Sequence, residues 1–474
     1  METECTPTQL EFQGLGRRDV VAKFDGGQIS SDGGGLLLRE VERKTGIIRR
    51  LSECFRDFRD PEAIEHTVED LLGQRIYGLA LGYEDLNDHD RLRLDHLLAV
   101  LVNKEDPTGC GRAMARDKGK PLASSSTLNR LELTHWSADH SSRYKKIVAQ
   151  VGKIDNLLVD LYLDAHDEAP RQIWLDLDAT DDPLHGSQEG RFFHGYYKNY
   201  CYLPLYIFAG EHLLCARLRE ANQDASAGSV EELERIVAQI RQRWPATQII
   251  IRADSGFCRE EIMAWCEANG VDFLLGLAKN KRLNALMHHE MAQAKEQAEA
   301  TQAAARVFKD FSYRTRASWS RARRVVGKAE HLRGGANPRY VVTSLAQDTY
   351  EARSLYEDHY CARGDMENRI KEQQLDLFAD RTSSHGMRAN QNRLYFSSFA
   401  YVMLCALRRI GLQGTELAKA QCGTVRTRLL KIGAQVRISV RKVWVSLAEC
   451  YPYAELFAQV LHNLQTRPPT YAPG

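Results

Sequence analysis

The hydrophobic period changes at residue 172, and that change limits the folds open to this chain. Upstream, apolar residues recur three and four apart in segments 36–43, 65–82, 91–103 and 124–134, the spacing of amphipathic helices. From 172 the period is two. Ile173-Trp174-Leu175-Asp176-Leu177-Asp178 reads as a strand with both aspartates on one face. Segments 191–198 (RFFHGYYK), 201–209 (CYLPLYIFA) and 213–219 (LLCARLR) read as further strands of a meander. A helix at 229–243 carries Val230, Leu233, Ile236, Val237 and Ile240 in one stripe; a buried strand (248–253), a helix (258–269) and another strand (272–277) follow. A meander that passes into alternating strands and helices predicts an α/β unit with a mixed sheet.

Beyond 281 the alternation stops. A long Ala/Gln/Glu helix (283–306) leads into a basic, strand-like stretch to 340; strand 339–345 resumes the sheet, and a long helix covers 352–379. The tail, 388–465, is helical with a strand-like QVRISVRKVWVSL at 435–447. The expected layout is a loose arm (1–24), a helical domain (25–165), the first part of the α/β core (170–280), an insertion (281–338), the second part of the core (339–387) and a helical C-terminal domain (388–474). Three glycines, Gly33-Gly34-Gly35, precede the first helix without the lysine of a phosphate-binding loop, so a turn capped by Ser31 or Asp32 is expected there.

With 64 Lys and Arg against 63 Asp and Glu, the formal net charge is +1. That excludes a uniformly basic protein and moves any partner argument to local charge. The 11 cysteines include no C-x-x-C pair, which argues against structural zinc and fits reduced thiols in a cytosol. The N-terminus lacks a signal-peptide pattern. The apolar run Phe396 to Leu407 is too short for a bilayer span. A cytoplasmic protein is expected.

Three acidic positions stand out. Asp178 ends the first strand, and Asp254 follows Ile-Ile-Ile-Arg-Ala at the carboxyl edge of another, where open α/β sheets hold their sites. In the helix at 352–379, Tyr360, Arg363, Glu367 and Lys371 are spaced by three, four and four and share a face. Taken singly, the turn Asp254-Ser255-Gly256 is also readable as a strand-to-helix cap, and the helical face as a solvated one with Glu–Lys support. Taken together, two strand-end aspartates and a helical glutamate can hold two Mg²⁺ or Mn²⁺ ions for phosphoryl transfer on a nucleic-acid backbone. Asp176, on the same face as Asp178, is an alternative first ligand.

These segments carry a family resemblance. FDGGQISSDGGGLLL (24–38), DLLGQRIYGLALGYEDLNDHD (70–90), LDLDATDDPLHGSQEG (175–190), IIIRADSGF (249–257) and the Tyr360-x-x-Arg363-Gly364-x-x-Glu367 helix resemble the DDE transposases of bacterial insertion sequences, specifically the IS1380 family of the IS4-like group. The resemblance implies an RNase H-like catalytic core and Asp178, Asp254 and Glu367 as its metal-binding triad. It also implies DNA partners, namely terminal inverted repeats and target DNA, and a homodimer on paired ends. One position departs from the related pattern: where a Lys is expected seven residues after the Glu, this chain has Gln374.

Two basic stretches are candidate DNA surfaces. Between Arg306 and Arg339 lie ten Lys or Arg and two acids. There Arg314, Arg316, Arg321, Arg323 and Arg324 are expected to neutralise phosphates, and Trp319 either to stack on a base or to fill a small core. Lys419 to Lys442 holds seven basic residues and no acid, among them Arg426, Arg428, Lys431, Arg437, Arg441 and Lys442. The short helix 124–132 is either a DNA-contacting helix, through Ser125, Thr127 and Arg130, or a plain surface helix.

Overall fold

The computed structural model describes residues 9–467. Residues 1–8 of the expected arm, and 468–474, lie outside the described residues. The rest of the arm is an exposed hairpin, Leu10–Leu15 against Arg18–Ala22, and not an irregular segment.

Helices Leu36–Thr45, Val68–Leu81 and Ser125–Leu133 form where the apolar period requires them; segment 91–103 is broken into His89–Leu92 and His96–Leu101, and Val151–Asp164 is a further helix that the period did not single out. The second starts at a reciprocal cap between Thr67 and Asp70 and stops at Gly82, whose φ is 96°. Leu37, Leu72 and Ile76 pack in one core with Phe396, Phe399, Leu404 and Leu407 of the helix Met387–Ile410. The helical segments at the two ends of the chain therefore share a core. Met387–Ile410 is buried on most faces, so its polar residues need partners. Gln391 accepts from Leu218 N at 2.7 Å and donates to the Ala216 carbonyl at 3.0 Å, and Asn392 donates to the Glu132 carbonyl at 3.0 Å. Among the described residues no helix is long and apolar enough to cross a membrane.

The sheet is built from β1 (Gln172–Ala179), β2 (Leu205–Ala209), β3 (His212–Arg217), β4 (Gln248–Ala253), β5 (Asp272–Leu277), β6 (Ala305–Tyr313), β7 (Arg323–Leu332) and β8 (Arg339–Thr343). Their order is β3-β2-β1-β4-β5-β8-β7-β6. β1, β4 and β5 are parallel, and the other pairings are antiparallel, so the fold is mixed α/β.

Three expectations change here. Segment 191–198 is not a strand of the main sheet. The turn Gly195-Tyr196-Tyr197-Lys198, with Lys198 at φ 56°, reverses the chain, so Phe192–His194 pairs with Asn199–Tyr202 in a small sheet that includes Asp182–Pro183. The expected insertion, 281–338, has no core of its own. β6 and β7 extend the main sheet through β8, and Tyr313, Trp319 and Val325 join the cluster that holds Ile249 and Phe273. The glycines at 33–35 serve close approach and not a side-chain cap: a Cβ on Gly34 would lie 2.0 Å from the Leu429 carbonyl oxygen. The strand Ala434–Ile438 completes that contact by pairing with Gln28–Ser30 on one side and with Val443–Leu447 on the other.

Candidate active site

β1 and β4 run parallel with Ala253 opposite Leu177, so the next residues, Asp254 and Asp178, leave adjacent strands side by side. Neighbouring strands lie about 4.8 Å apart, close enough for two side chains to face one cation. Asp254 also shapes its turn: its Oδ1 accepts from Gly256 N at 2.8 Å. On the far side of β4, Gly276 of β5 makes room for the third element. A Cβ there would lie 2.5 Å from Tyr360 Oη and 2.9 Å from Ser255 N.

That third element runs from Ala352 to Asp376 and is not a uniform helix. An α-helical stretch, Gly364–Lys371, sits between π-helical turns at Leu355–Tyr360 and Glu372–Asp376. Met366 and Ile370 are buried and fix the inner face. Arg363, Glu367 and Lys371 then face an open cleft of about 590 Å³, lined also by Asp178 and Asp254 and by His194, Tyr196 and Tyr197 of the small sheet's hairpin.

The Arg363 guanidinium spans two of the carboxylates. Nη2 is 2.6 Å from Glu367 Oε1, and Nη1 is 3.4 Å from Asp178 Oδ2. Burial pushes the Asp178 carboxyl up to about 6; Arg363 opposes this, and the charges of Asp254 and Glu367 add to it. Burial likewise raises the Tyr360 phenol. Asp176 is engaged elsewhere. Its two oxygens are 2.5 and 2.8 Å from Arg252 Nε and Nη2, and Arg252 also donates to the His359 carbonyl. The carboxylate is buried and does not line the cleft.

Among the described residues no group of three acidic, His or Cys side chains is drawn together closely enough to hold a metal ion. The arrangement explains this: an arginine stands between Asp178 and Glu367, a cation already in the cleft. The donor set fits a hard divalent ion, since three carboxylates and no sulfur or imidazole ligand belong to it. The raised Asp178 carboxyl reflects first its burial and then the neighbouring charges of Asp254 and Glu367.

Lys371 is exposed at the cleft. Gln374, which departs from the expected Lys, is used structurally: its Nε2 donates to the Asp181 carbonyl at 3.1 Å and to Asp182 Oδ1 at 3.0 Å. Asp182 is fully buried, and burial drives its pKa well above the ordinary range.

The other sequence-selected residues divide. Arg314, Arg316 and Arg321 are exposed. Arg323 is buried between Glu260 and Glu267, at 2.6 and 2.7 Å, and Arg324 is forked onto Asp310 at 2.6 Å; neither is available to a phosphate. Trp319 is 4% exposed and lies edge-on to Tyr313 at 5.8 Å, so it fills the core and is not a base-stacking platform. Ser125 binds Asp90 through N and Oγ at 3.0 and 2.8 Å, Thr127 is half-buried, and Arg130 lies exposed over Tyr144. In the C-terminal patch, Arg428, Arg437, Arg441 and Lys442 are exposed. Arg426 donates to backbone carbonyls of Leu79 and Ala80, and Lys431 pairs with Asp32 at 2.6 Å.

Sequence reasoning missed His194, Tyr196 and Tyr197 as cleft residues. The signal was the Gly195 turn inside an aromatic run, which alternation alone converts into a buried strand.

The family described as transposase DDE domain, group 1, matches residues 12–469. No curated protein matches the chain. Among solved structures, the piggyBac transposase synaptic complex with hairpin DNA is similar at 10% identity and a TM-score of 0.40, over 94% of this chain and 87% of that one.

Proposed function

The chain belongs to the transposase DDE domain group 1 family, and on that premise we propose that it binds the terminal inverted repeats of an insertion sequence, cleaves DNA at the ends, and joins the 3′-hydroxyl to target DNA. The reading takes the chain as an IS1380-type enzyme with an RNase H-like core, acting as a homodimer on paired ends in the cytoplasm. The sheet order β3-β2-β1-β4-β5, with β2 antiparallel to its neighbours, supports that core. The observation that carries the function is the meeting of Asp178, Asp254 and Glu367 in one cleft at the carboxyl edge of β1 and β4.

Asp178, Asp254 and Glu367 would hold two Mg²⁺ or Mn²⁺ ions, which when bound supply a nucleophile at neutral pH and charge stabilisation at the leaving oxygen. The chain's own residues do the rest. Asp178 must be ionised to serve as a ligand, and above pH about 6 it is. Arg363, released from Glu367 and Asp178, can fork onto a phosphate of the bound strand. Lys371, one turn beyond Glu367 and exposed, offers a point charge to the next phosphate. Tyr360, packed against Gly276, fixes the helix against β5, the neighbour of the strand that leads into the Asp254 turn.

An assay with labelled terminal DNA and Mg²⁺, with products mapped on both strands, tests this. Asp178→Ala, Asp254→Ala and Glu367→Ala should each abolish cleavage and strand transfer while keeping end binding. Full activity in any of the three refutes the assignment. An end-binding repressor would bind specifically with no cleavage by the wild type; a nuclease on the same core would cut without end preference and join nothing.

A further inference from the structure

The hairpin at the mouth of the cleft carries an unusual surface. Between Arg191 and Tyr200 there are five aromatic rings besides His194, two basic residues and no acid. The hairpin is too short to bury them. Tyr196 is 83% exposed, and Phe192 and Phe193 are 48% and 49% exposed. The hairpin is nonetheless tied to the acidic site. Tyr197 Oη donates to the Ala179 carbonyl at 3.2 Å, the residue after Asp178, and Tyr196, Tyr197 and His194 line the same cleft as the three carboxylates. Neighbouring rings hold each other in place: Tyr196 meets Tyr197 edge-on at 5.0 Å, and Phe193 meets Tyr200 edge-on at 5.4 Å, with Arg191 over the Tyr200 ring at 3.7 Å.

We propose that this hairpin is a stacking platform for unpaired bases of the DNA end whose backbone enters the cleft, with Tyr196 and Phe193 presenting the rings and Arg191 and Lys198 flanking them against phosphate. The proposal rests on the reading of the cleft as a site for DNA strand chemistry. Three observations select the occupant. Tyr196 and Tyr197 line the cleft itself, and Phe193 directly precedes His194 of the same lining. The hairpin's own charges, Arg191 and Lys198, are both positive, which suits a phosphate chain; the acids at its base are Asp181, which accepts from Asn199 Nδ2 at 2.9 Å, and Glu220 beside Gly190. Trp319, the ring of the basic stretch that could have served instead, is buried. Every base has a π-face, so the platform tolerates sequence.

The test uses fluorescence anisotropy on two labelled probes of arbitrary sequence: a fully paired duplex, and the same duplex with one end splayed into unpaired thymines. Wild type should bind the splayed probe about tenfold more tightly, the effect of one stacked base. Tyr196→Ala and Phe193→Ala should each remove most of that preference and leave paired-duplex affinity unchanged, and Tyr196→Phe should keep it. These side chains are exposed, and unchanged melting curves would confirm that the variants fold. Equal binding of both probes by wild type, or an intact preference in both alanine variants, overturns the platform alone. Binding of neither probe overturns the transposase reading as well. A DNA-free dimer that dissociates in Phe193→Ala, with probe preference unchanged, overturns it in favour of contact between copies.

Discussion

Asp178→Asn should make the metal-free protein more stable than wild type at neutral and alkaline pH. The carboxyl is held at about 6 in the folded chain against an ordinary 3.8, first by burial and then by Asp254 and Glu367. Ionising it in the fold therefore costs about 3 kcal/mol more than in the unfolded chain. The folded state binds this proton more tightly than the unfolded state. The cost is thus absent at pH values below the ordinary 3.8, grows as pH rises towards about 6, and is complete above it. The amide escapes that cost. It gives up an attraction to Arg363 at 3.4 Å, but Arg363 keeps Glu367 at 2.6 Å. The net gain should be about 1–3 kcal/mol. Denaturation midpoints in chelator, at about pH 8 and about pH 4.5, measure it. The account requires a gap in favour of the variant at the higher pH that narrows at the lower. A variant less stable than wild type at the higher pH, or a gap independent of pH, refutes the electrostatic reasoning. Added Mg²⁺ should reverse the order, since a ligand at a hundred times its Kd stabilises by about 2.7 kcal/mol and the variant lacks one of its ligands.

Arg323 and Arg316 should behave oppositely. Arg323→Ala removes the main partner of Glu260 and Glu267, which keep Ser320 and Arg321, and should cost about 1–3 kcal/mol in stability; Arg316→Ala should leave the melting curve alone and lower the salt dependence of DNA binding by about one unit of slope. Gly276→Ala forces a methyl group to within 2.5 Å of Tyr360 Oη, which should cost about 1–3 kcal/mol and cut strand transfer without changing end affinity. Tyr360→Phe in the same chain should recover part of the stability, and no recovery would mean that the backbone at Ser255 is the obstruction.

The positions of the acidic residues in the candidate cleft were more legible in the sequence than the surfaces around it. Asp178 and Asp254 were legible because runs of β-branched and apolar residues end at them, and a parallel register puts two such ends together. The helical face was legible from spacing, although the π turns beside it were not: nothing local in Leu355–Tyr360 announces an extra residue per turn. The basic stretch misled because charge was read without its partners. Arg323 and Arg324 point at glutamates and an aspartate that lie on other elements or across a strand pair, invisible until β6 and β7 join the sheet. Trp319 is buried for the same reason. The hairpin at 191–202 misled in the other direction: its aromatic density looked like core, and its turn put most of those rings outside.

Diffraction from crystals soaked in Mn²⁺, with the anomalous signal used to locate the ion, tests the central claim most directly. The account predicts a peak within bonding reach of the Asp178 and Asp254 carboxylates, with Glu367 beside it and Arg363 turned away from the place it now occupies. A cleft that binds no ion at saturating Mn²⁺, or a peak elsewhere with Arg363 still bridging Asp178 and Glu367, contradicts it.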